Sequence, residues 1–344
     1  MEKKDIRLNT VSELETILVE LGQPKFRAKQ VYEWLWYKGA TSFENMRNLP
    51  KALLEVLETN YFIPCTKVYA KQESVDGTIK LGFELHDGNK VEGVIIPSNG
   101  RYTACISSQV GCSLDCKFCA TGFLKRERNL TAGEIYDQVK IINDITTESF
   151  GQKIDNIVYM GMGEPLLNYA NVVQSVRYLI DMKGLGFSGR RITISTAGIS
   201  KMIIKLADEE LGCKLALSLH EANDEARSKI MPINDSNPLD SLSEALIYWY
   251  NTTKSRPTLE YTVIEGVNDT KESRENLAVF AKKFPCKINL IEYNPIAQAS
   301  YKPTETDNLM AFAESLEKEK LIVNVRRSRG KDIDAACGQL ITND

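Results

Sequence analysis

Apolar and polar positions divide the chain into three stretches of different period. Through about residue 62 the apolar residues recur at helical spacing. Ser12-Glu13-Leu14-Glu15 reads as a capping box opening a first helix that Gly22 ends. Phe26, Val31, Trp34 and Leu35 mark a second helix over 25–38, and Pro50 starts a third over 49–57. From 66 to 97 the runs are β-rich, punctuated by Asp76-Gly77 and Asp87-Gly88 as hairpin turns would be, which predicts a small antiparallel meander. From about 103, apolar β-runs alternate with helical stretches. The runs fall at 103–108, 154–160, 191–196, 214–219, 259–264 and 287–293. Six strand–helix units predict an α/β fold, a parallel barrel or partial (β/α)6 barrel whose chemistry gathers at the C-terminal ends of the strands. The expected organisation is a helical N-terminal domain (1–62), a short β linker (63–100) and a barrel core (101–344).

Composition narrows the class. A 344-residue chain that is 43% hydrophobic can bury one large domain plus a small one. Its 43 basic and 46 acidic side chains leave a net charge of −3, which excludes a globally basic RNA binder but not a local basic face. No apolar run approaches the roughly 18–20 residues that span a bilayer, and Met1-Glu2-Lys3-Lys4-Asp5 leads into no apolar signal core. A cytoplasmic monomer without membrane contact is expected. In a reducing compartment the eight cysteines are poor material for a disulfide framework, so a cluster of them points to metal or thiol chemistry.

Such a cluster is Cys112-Ser-Leu-Asp-Cys116-Lys-Phe-Cys119, in a loop after the first core strand. Structural zinc normally takes four ligands, and no fourth Cys or His stands close in sequence. Three thiolates suit a 4Fe–4S cluster with one iron left open for a substrate, zinc being the alternative. One βα unit later comes Gly161-Met162-Gly163-Glu164-Pro165. Its glycines would let backbone approach a ligand closely, and its carboxylate could pair with an ammonium group, although the same loop could be an ordinary tight turn.

The Cys-x3-Cys-x2-Cys spacing with Phe118 before the last cysteine resembles the radical S-adenosylmethionine (SAM) superfamily. Within it, Ser107–Cys112, Met160–Asn168, Thr193–Gly198, Leu217–His220 and Gly330–Leu340 resemble the RlmN/Cfr family, whose members methylate an adenine in the peptidyl-transferase region of 23S rRNA. RlmN-type members act at carbon 2 and Cfr-type members at carbon 8; Pro165 and the following Leu-Leu-Asn resemble the former. Some RlmN-type members also methylate tRNA beside the anticodon. The resemblance implies that Cys112, Cys116 and Cys119 hold the cluster and that Gly163, Glu164, Ser195, Ser218, Leu219, His220 and Asn294 bind SAM.

It also implies a two-stage route, because an electrophilic ring carbon cannot attack SAM directly. Cys337 first takes a methyl group from one SAM. A second SAM, reduced to a 5′-deoxyadenosyl radical, abstracts hydrogen from that methyl group, and the carbon radical adds to adenine. Glu92 removes the ring proton. Cys105 then attacks the Cys337 sulfur, releasing product and leaving a disulfide to be reduced. A reductant such as flavodoxin or ferredoxin is the expected electron source. From spacing alone, Cys105 reads as core filler, Cys337 as an inert loop thiol and Glu92 as a surface residue. Cys65, Cys213 and Cys286 read as structural, and His86 as a surface residue.

The RNA side rests on three basic runs, Lys125-Arg126-Glu127-Arg128, Arg190-Arg191 and Arg326-Arg327-Ser328-Arg329-Gly330-Lys331, all expected beside the site where phosphates would lie. The target base should be unstacked or flipped. The N-terminal helices could dock RNA or simply pack as a cap. A reading from another class, a metal-containing RNA-binding protein without catalysis, has no use for the two remote cysteines.

Overall fold

The computed structural model describes residues 3–341. Its N-terminal helices are α1 (Val11–Glu20), α2 (Phe26–Trp36) and α3 (Lys51–Asn60). The cap of α1 is Thr10, not Ser12. The Thr10 hydroxyl accepts from Glu13 N, and the Glu13 carboxylate accepts from Thr10 N at 2.7 Å. Thr10-x-x-Glu13 satisfies the capping box earlier than Ser12-x-x-Glu15, so Ser12 falls inside the helix.

The main sheet has ten strands in chain order. The first three, β1 (Lys67–Glu73), β2 (Ile79–Glu84) and β3 (Lys90–Ser98), form the antiparallel meander. Strand β4 (Arg101–Cys105) pairs antiparallel with β3 and parallel with β5 (Asn156–Tyr159). Parallel pairing continues through β6 (Ile192–Thr196), β7 (Lys214–Ser218), β8 (Thr258–Val263), β9 (Lys287–Glu292) and β10 (Val323–Arg326). The meander thus shares the sheet of the core. The six expected core strands are present. β10 is a seventh, which half-exposed Val-Asn-Val-Arg did not announce as an apolar run. The sheet is a partial barrel open between its end strands, as the linear strand order requires.

Helices connect the parallel strands. α4 (Ala132–Phe150) and α5 (Tyr169–Ile180) flank β5; α6 (Ser200–Ala207) leads to β7; α7 (Asp224–Ile230) and α8 (Leu239–Thr253) lead to β8; α9 (Lys271–Ala281) and α10 (Thr306–Lys318) flank β9. The strand interiors are almost wholly apolar and buried, as parallel strands covered by helices must be. The N-terminal helices pack on α4 and α5. Trp36 stacks on Tyr178 with centroids 3.8 Å apart, Tyr136 donates to Trp36 O, and Arg7 pairs with Asp137 at 2.8 Å. No helix among the described residues is long and apolar enough to cross a membrane.

Candidate active site

The C-terminal ends of the core strands surround an open cavity of about 960 Å³. Tyr159 ends β5, Ser195 and Thr196 end β6, Ser218 ends β7, Thr262 and Ile291 lie near the ends of β8 and β9, and Arg326 ends β10; all line it. Cys112, Cys116 and Cys119 form part of the same wall, as does Cys337.

The cysteine loop is closed at its base by a two-stranded ribbon, Gln109–Val110 with Arg128–Asn129. Burial raises all three thiols, Cys112 to about 11 and the other two also upward. A site that disfavours bare thiolates suits them as ligands of a cationic centre. No group of three or more His, Cys, Asp or Glu among the described residues is arranged to hold a single metal ion. A cubane cluster takes one thiolate per iron, so its cysteines need not converge on one point, and three soft donors in one cavity wall fit it.

The glycine loop interlocks with Ser107-Ser108-Gln109. Gly161 N donates to Ile106 O (3.0 Å), Met162 N to Ser107 Oγ (2.8 Å) and Glu164 N to Gln109 Oε1 (2.8 Å). Gly163 has φ +93°, and a Cβ there would stand 2.5 Å from Gln109 Cβ, so only glycine fits. The loop delivers Glu164 to the cavity wall, where its oxygens accept from Leu166 N (2.9 Å) and Ala197 N (2.7 Å). Burial raises its pKa while those amides and the Thr196 hydroxyl oppose the rise.

The other expected SAM contacts are grouped more loosely. Ser195 Oγ and Ser218 Oγ stand 3.4 Å apart on the cavity wall. His220 adopts φ +57°, a conformation few side chains take. Its Nδ1 accepts from Thr262 N (3.0 Å), which puts the ring proton on Nε2, and burial lowers its pKa to about 3. Leu219 is fully buried and does not line the cavity. Asn294 donates to Cys337 O (3.2 Å), while its Oδ1 is buried without a partner. The neighbouring Tyr293 hydroxyl is likewise unpartnered. Tyr293 lines the cavity, whereas Asn294 does not.

The two remote cysteines come close enough for their charges to interact. Cys105 is buried at the end of β4, its thiol pushed up to about 12 by burial and then by the Cys337 sulfur. Cys337 is exposed to the cavity. Its loop is tied down on several sides. Asp332 accepts from Ser74 Oγ (2.5 Å) and Val75 N (3.2 Å), Gly330 N donates to Asp76, and Ala120 N donates to Gly338 O (2.7 Å). Glu92 is buried on β3 behind this loop, off the cavity wall. It accepts from Ile341 N (2.9 Å) and lies 3.5 Å from Lys80 Nζ, and burial raises its pKa despite that cation.

The basic runs are dispersed. Arg190 and Arg191 precede β6 at its N-terminal end, opposite the cavity, so that expectation fails: a strand's two ends lie on opposite faces of the barrel. Arg128 is held by Asp87 (2.6 Å) and Glu134 (2.8 Å), Arg329 lies 3.9 Å from Asp76, and Lys331 pairs with Glu292 at 2.7 Å. Arg326 reaches Glu260 Oε2 at 3.3 Å inside the cavity. Arg327 is exposed. Glu260, a lone carboxylate in an apolar strand, was the available sign of a cavity residue that sequence reading passed over.

A parallel partial barrel with three loop cysteines and a glycine loop at its strand ends defines a radical SAM enzyme, and the model of the radical SAM superfamily matches residues 106–278. That class carries a 4Fe–4S cluster and SAM. A model described as the ribosomal RNA large subunit methyltransferase N-terminal domain matches residues 7–63. The chain is 54% identical over 99% of its length to a probable dual-specificity RNA methyltransferase RlmN of Cytophaga hutchinsonii, covering 93% of that protein. It is 41% identical over 98% of its length to the corresponding protein of Salinibacter ruber, covering 94% of it. A crystal structure of a radical SAM methyltransferase from Sphaerobacter thermophilus superposes with a TM-score of 0.90 at 39% identity, covering 98% of this chain and 99% of that one. The chain belongs to the RlmN family of radical SAM RNA methyltransferases.

Proposed function

We propose that the chain methylates carbon 2 of an adenine in the peptidyl-transferase region of 23S rRNA, with the tRNA adenine beside the anticodon as a second substrate. The observation that carries this reading is a thiol, Cys337, open to the cavity that the cysteine triplet lines, with buried Cys105 close enough to feel its charge. A methyltransferase acting by direct displacement has no use for such a thiol pair.

In this reading Cys112, Cys116 and Cys119 hold the cluster. Gly163, Glu164, Ser195, Ser218, Leu219, His220 and Asn294 surround SAM. When bound, the cluster supplies an electron, and SAM supplies the methyl group and the hydrogen-abstracting chemistry. Cys337 gives up its proton and takes the methyl carbon on sulfur. After losing one hydrogen atom, that carbon bonds to adenine carbon 2, and the unpaired electron of the adduct would pass back to the oxidised cluster held by the three cysteines. Glu92 takes the ring proton, its raised pKa suiting it as a base. Cys105 attacks the Cys337 sulfur, the S–C bond breaks towards the product, whose carbon takes up the proton that Cys105 loses, and an S–S bond remains. Two electrons from a reductant such as flavodoxin or ferredoxin reopen it.

The test is mass spectrometry of nucleosides from 23S rRNA and tRNA of cells with and without the active enzyme. 2-Methyladenosine that appears only with the enzyme supports the proposal; 8-methyladenosine, or no change, overturns it.

A further inference from the structure

Arg227 on α7 is completely buried. Its Nε donates to Leu219 O (2.9 Å), one terminal nitrogen to Asn234 Oδ1 (2.9 Å), and the other to Ala197 O (2.7 Å) and Ser218 O (3.2 Å). Every acceptor is neutral. The nearby acid, Asp224, has an oxygen committed to Asn234 Nδ2 (3.0 Å) and Leu239 N (2.9 Å). A buried guanidinium bonded only to carbonyl oxygens is costly, because hydrogen bonds satisfy its protons but leave its charge unbalanced. Burial accordingly lowers its pKa, to about 10.

Two of its acceptor residues, Ala197 and Ser218, line the cavity together with Cys116, and the Cys116 sulfur is the leading attraction acting on Arg227, ahead of Asp224. The cysteine loop docks on the end of the same helix. Lys117 N donates to Ile230 O (3.0 Å), and Leu114 and Phe118 pack with Ile230 and Met231. The guanidinium is therefore held in a dry position beneath the cluster loop and cannot swing away. A clamp on three strand-end carbonyls would not by itself need a positive charge.

We infer that Arg227 is the fixed counter-charge of the iron–sulfur cluster and holds its reduction potential up. The inference rests on the proposed ligation by Cys112, Cys116 and Cys119. A cluster gains one negative charge on reduction, and a buried cation beside it favours the more negative state. Arg227 touches neither substrate nor SAM on this reading; it acts through the cluster.

The test is Arg227→Gln in anaerobically reconstituted full-length protein. Iron and sulfide are assayed first, and the cluster is then titrated with dithionite and redox mediators and followed by electron paramagnetic resonance. The expected result is a full complement of iron with the reduction equilibrium shifted at least about tenfold against the reduced state, a midpoint about 59 mV more negative for one electron. A fully loaded variant with an unchanged midpoint overturns the inference and leaves Arg227 a clamp. Should the glutamine variant fail to load, Arg227→Lys serves, since a buried lysine can lose its proton at high pH where an arginine cannot. Its midpoint should become more negative as pH rises through that range while the wild-type midpoint does not; a profile parallel to wild type overturns the inference. Wild-type protein that takes up no iron would sink the cluster ligation itself, a separate failure.

Discussion

Replacing each of the two remote cysteines with alanine separates their chemistry from their packing. Cys105→Ala removes one buried sulfur from the end of β4, where Cys105 pairs in register with Val94 and Val158. Loss of a methyl-sized group from a packed core costs about 1 kcal/mol. Against a total stability on the order of 10 kcal/mol, both the fold and the cavity should survive. For a chain of this size the melting temperature should fall by only about 1–2 °C. Cys337 is exposed, so Cys337→Ala should cost less still. The effects on RNA should differ completely. Cys337→Ala has no sulfur to receive the methyl group and should form no covalent link. Cys105→Ala can still join Cys337 to adenine but lacks the thiol that breaks the joint, so protein should accumulate crosslinked to RNA. The assay is a denaturing gel of each variant expressed in cells, with and without nuclease, beside a thermal melt. Two packing cysteines would lower stability without trapping RNA. If Cys105→Ala carries no nuclease-sensitive RNA, or Cys337→Ala carries as much, the assignment of roles is wrong.

Three further outcomes follow from the site. Anaerobically prepared protein should hold about four irons and four sulfides per chain, and Cys112→Ala, Cys116→Ala or Cys119→Ala should abolish SAM cleavage; stoichiometric zinc without iron would contradict this. His220 has its folded pKa lowered to about 3 by burial, against an ordinary value near 6.5, so the unfolded chain takes up a proton first as pH falls. The resulting loss of stability begins below about pH 6.5 and reaches about 2 kcal/mol at pH 5. Urea midpoints should therefore fall less between pH 7 and 5 in His220→Gln than in wild type, and equal slopes would refute the reasoning. Arg327 is exposed beside the cavity-lining Arg326. Arg327→Gln should weaken RNA binding across sequences and reduce the logarithmic salt slope by about one, whereas Arg190→Gln, at the far end of β6, should leave that slope unchanged.

The sequence by itself determined whatever depends on neighbours along the chain. The cysteine triplet spans eight residues, the glycine loop follows its strand directly, and the apolar runs alternate with helical stretches; each is legible within a short window. Even the choice of Thr10 over Ser12 as a cap was a local competition between two matching patterns. β10 escaped notice because its Val-Asn-Val-Arg sequence becomes a strand only through pairing with β9. Only the tertiary structure decided which distant groups meet. It brings Cys337 within electrostatic reach of Cys105 and ties the Cys337 loop to the β1–β2 turn through Asp332. It turns Arg326 towards Glu260, sends Arg190 and Arg191 to the opposite face, and buries Arg227 beneath the cluster loop, although its Asp-Glu-Ala-Arg setting reads as a solvated helix. A side chain's charge can be read from its letter. Whether that charge faces water, a carboxylate or a buried sulfur depends on the register of strands and the docking of loops far away in sequence, where burial raises or lowers its cost.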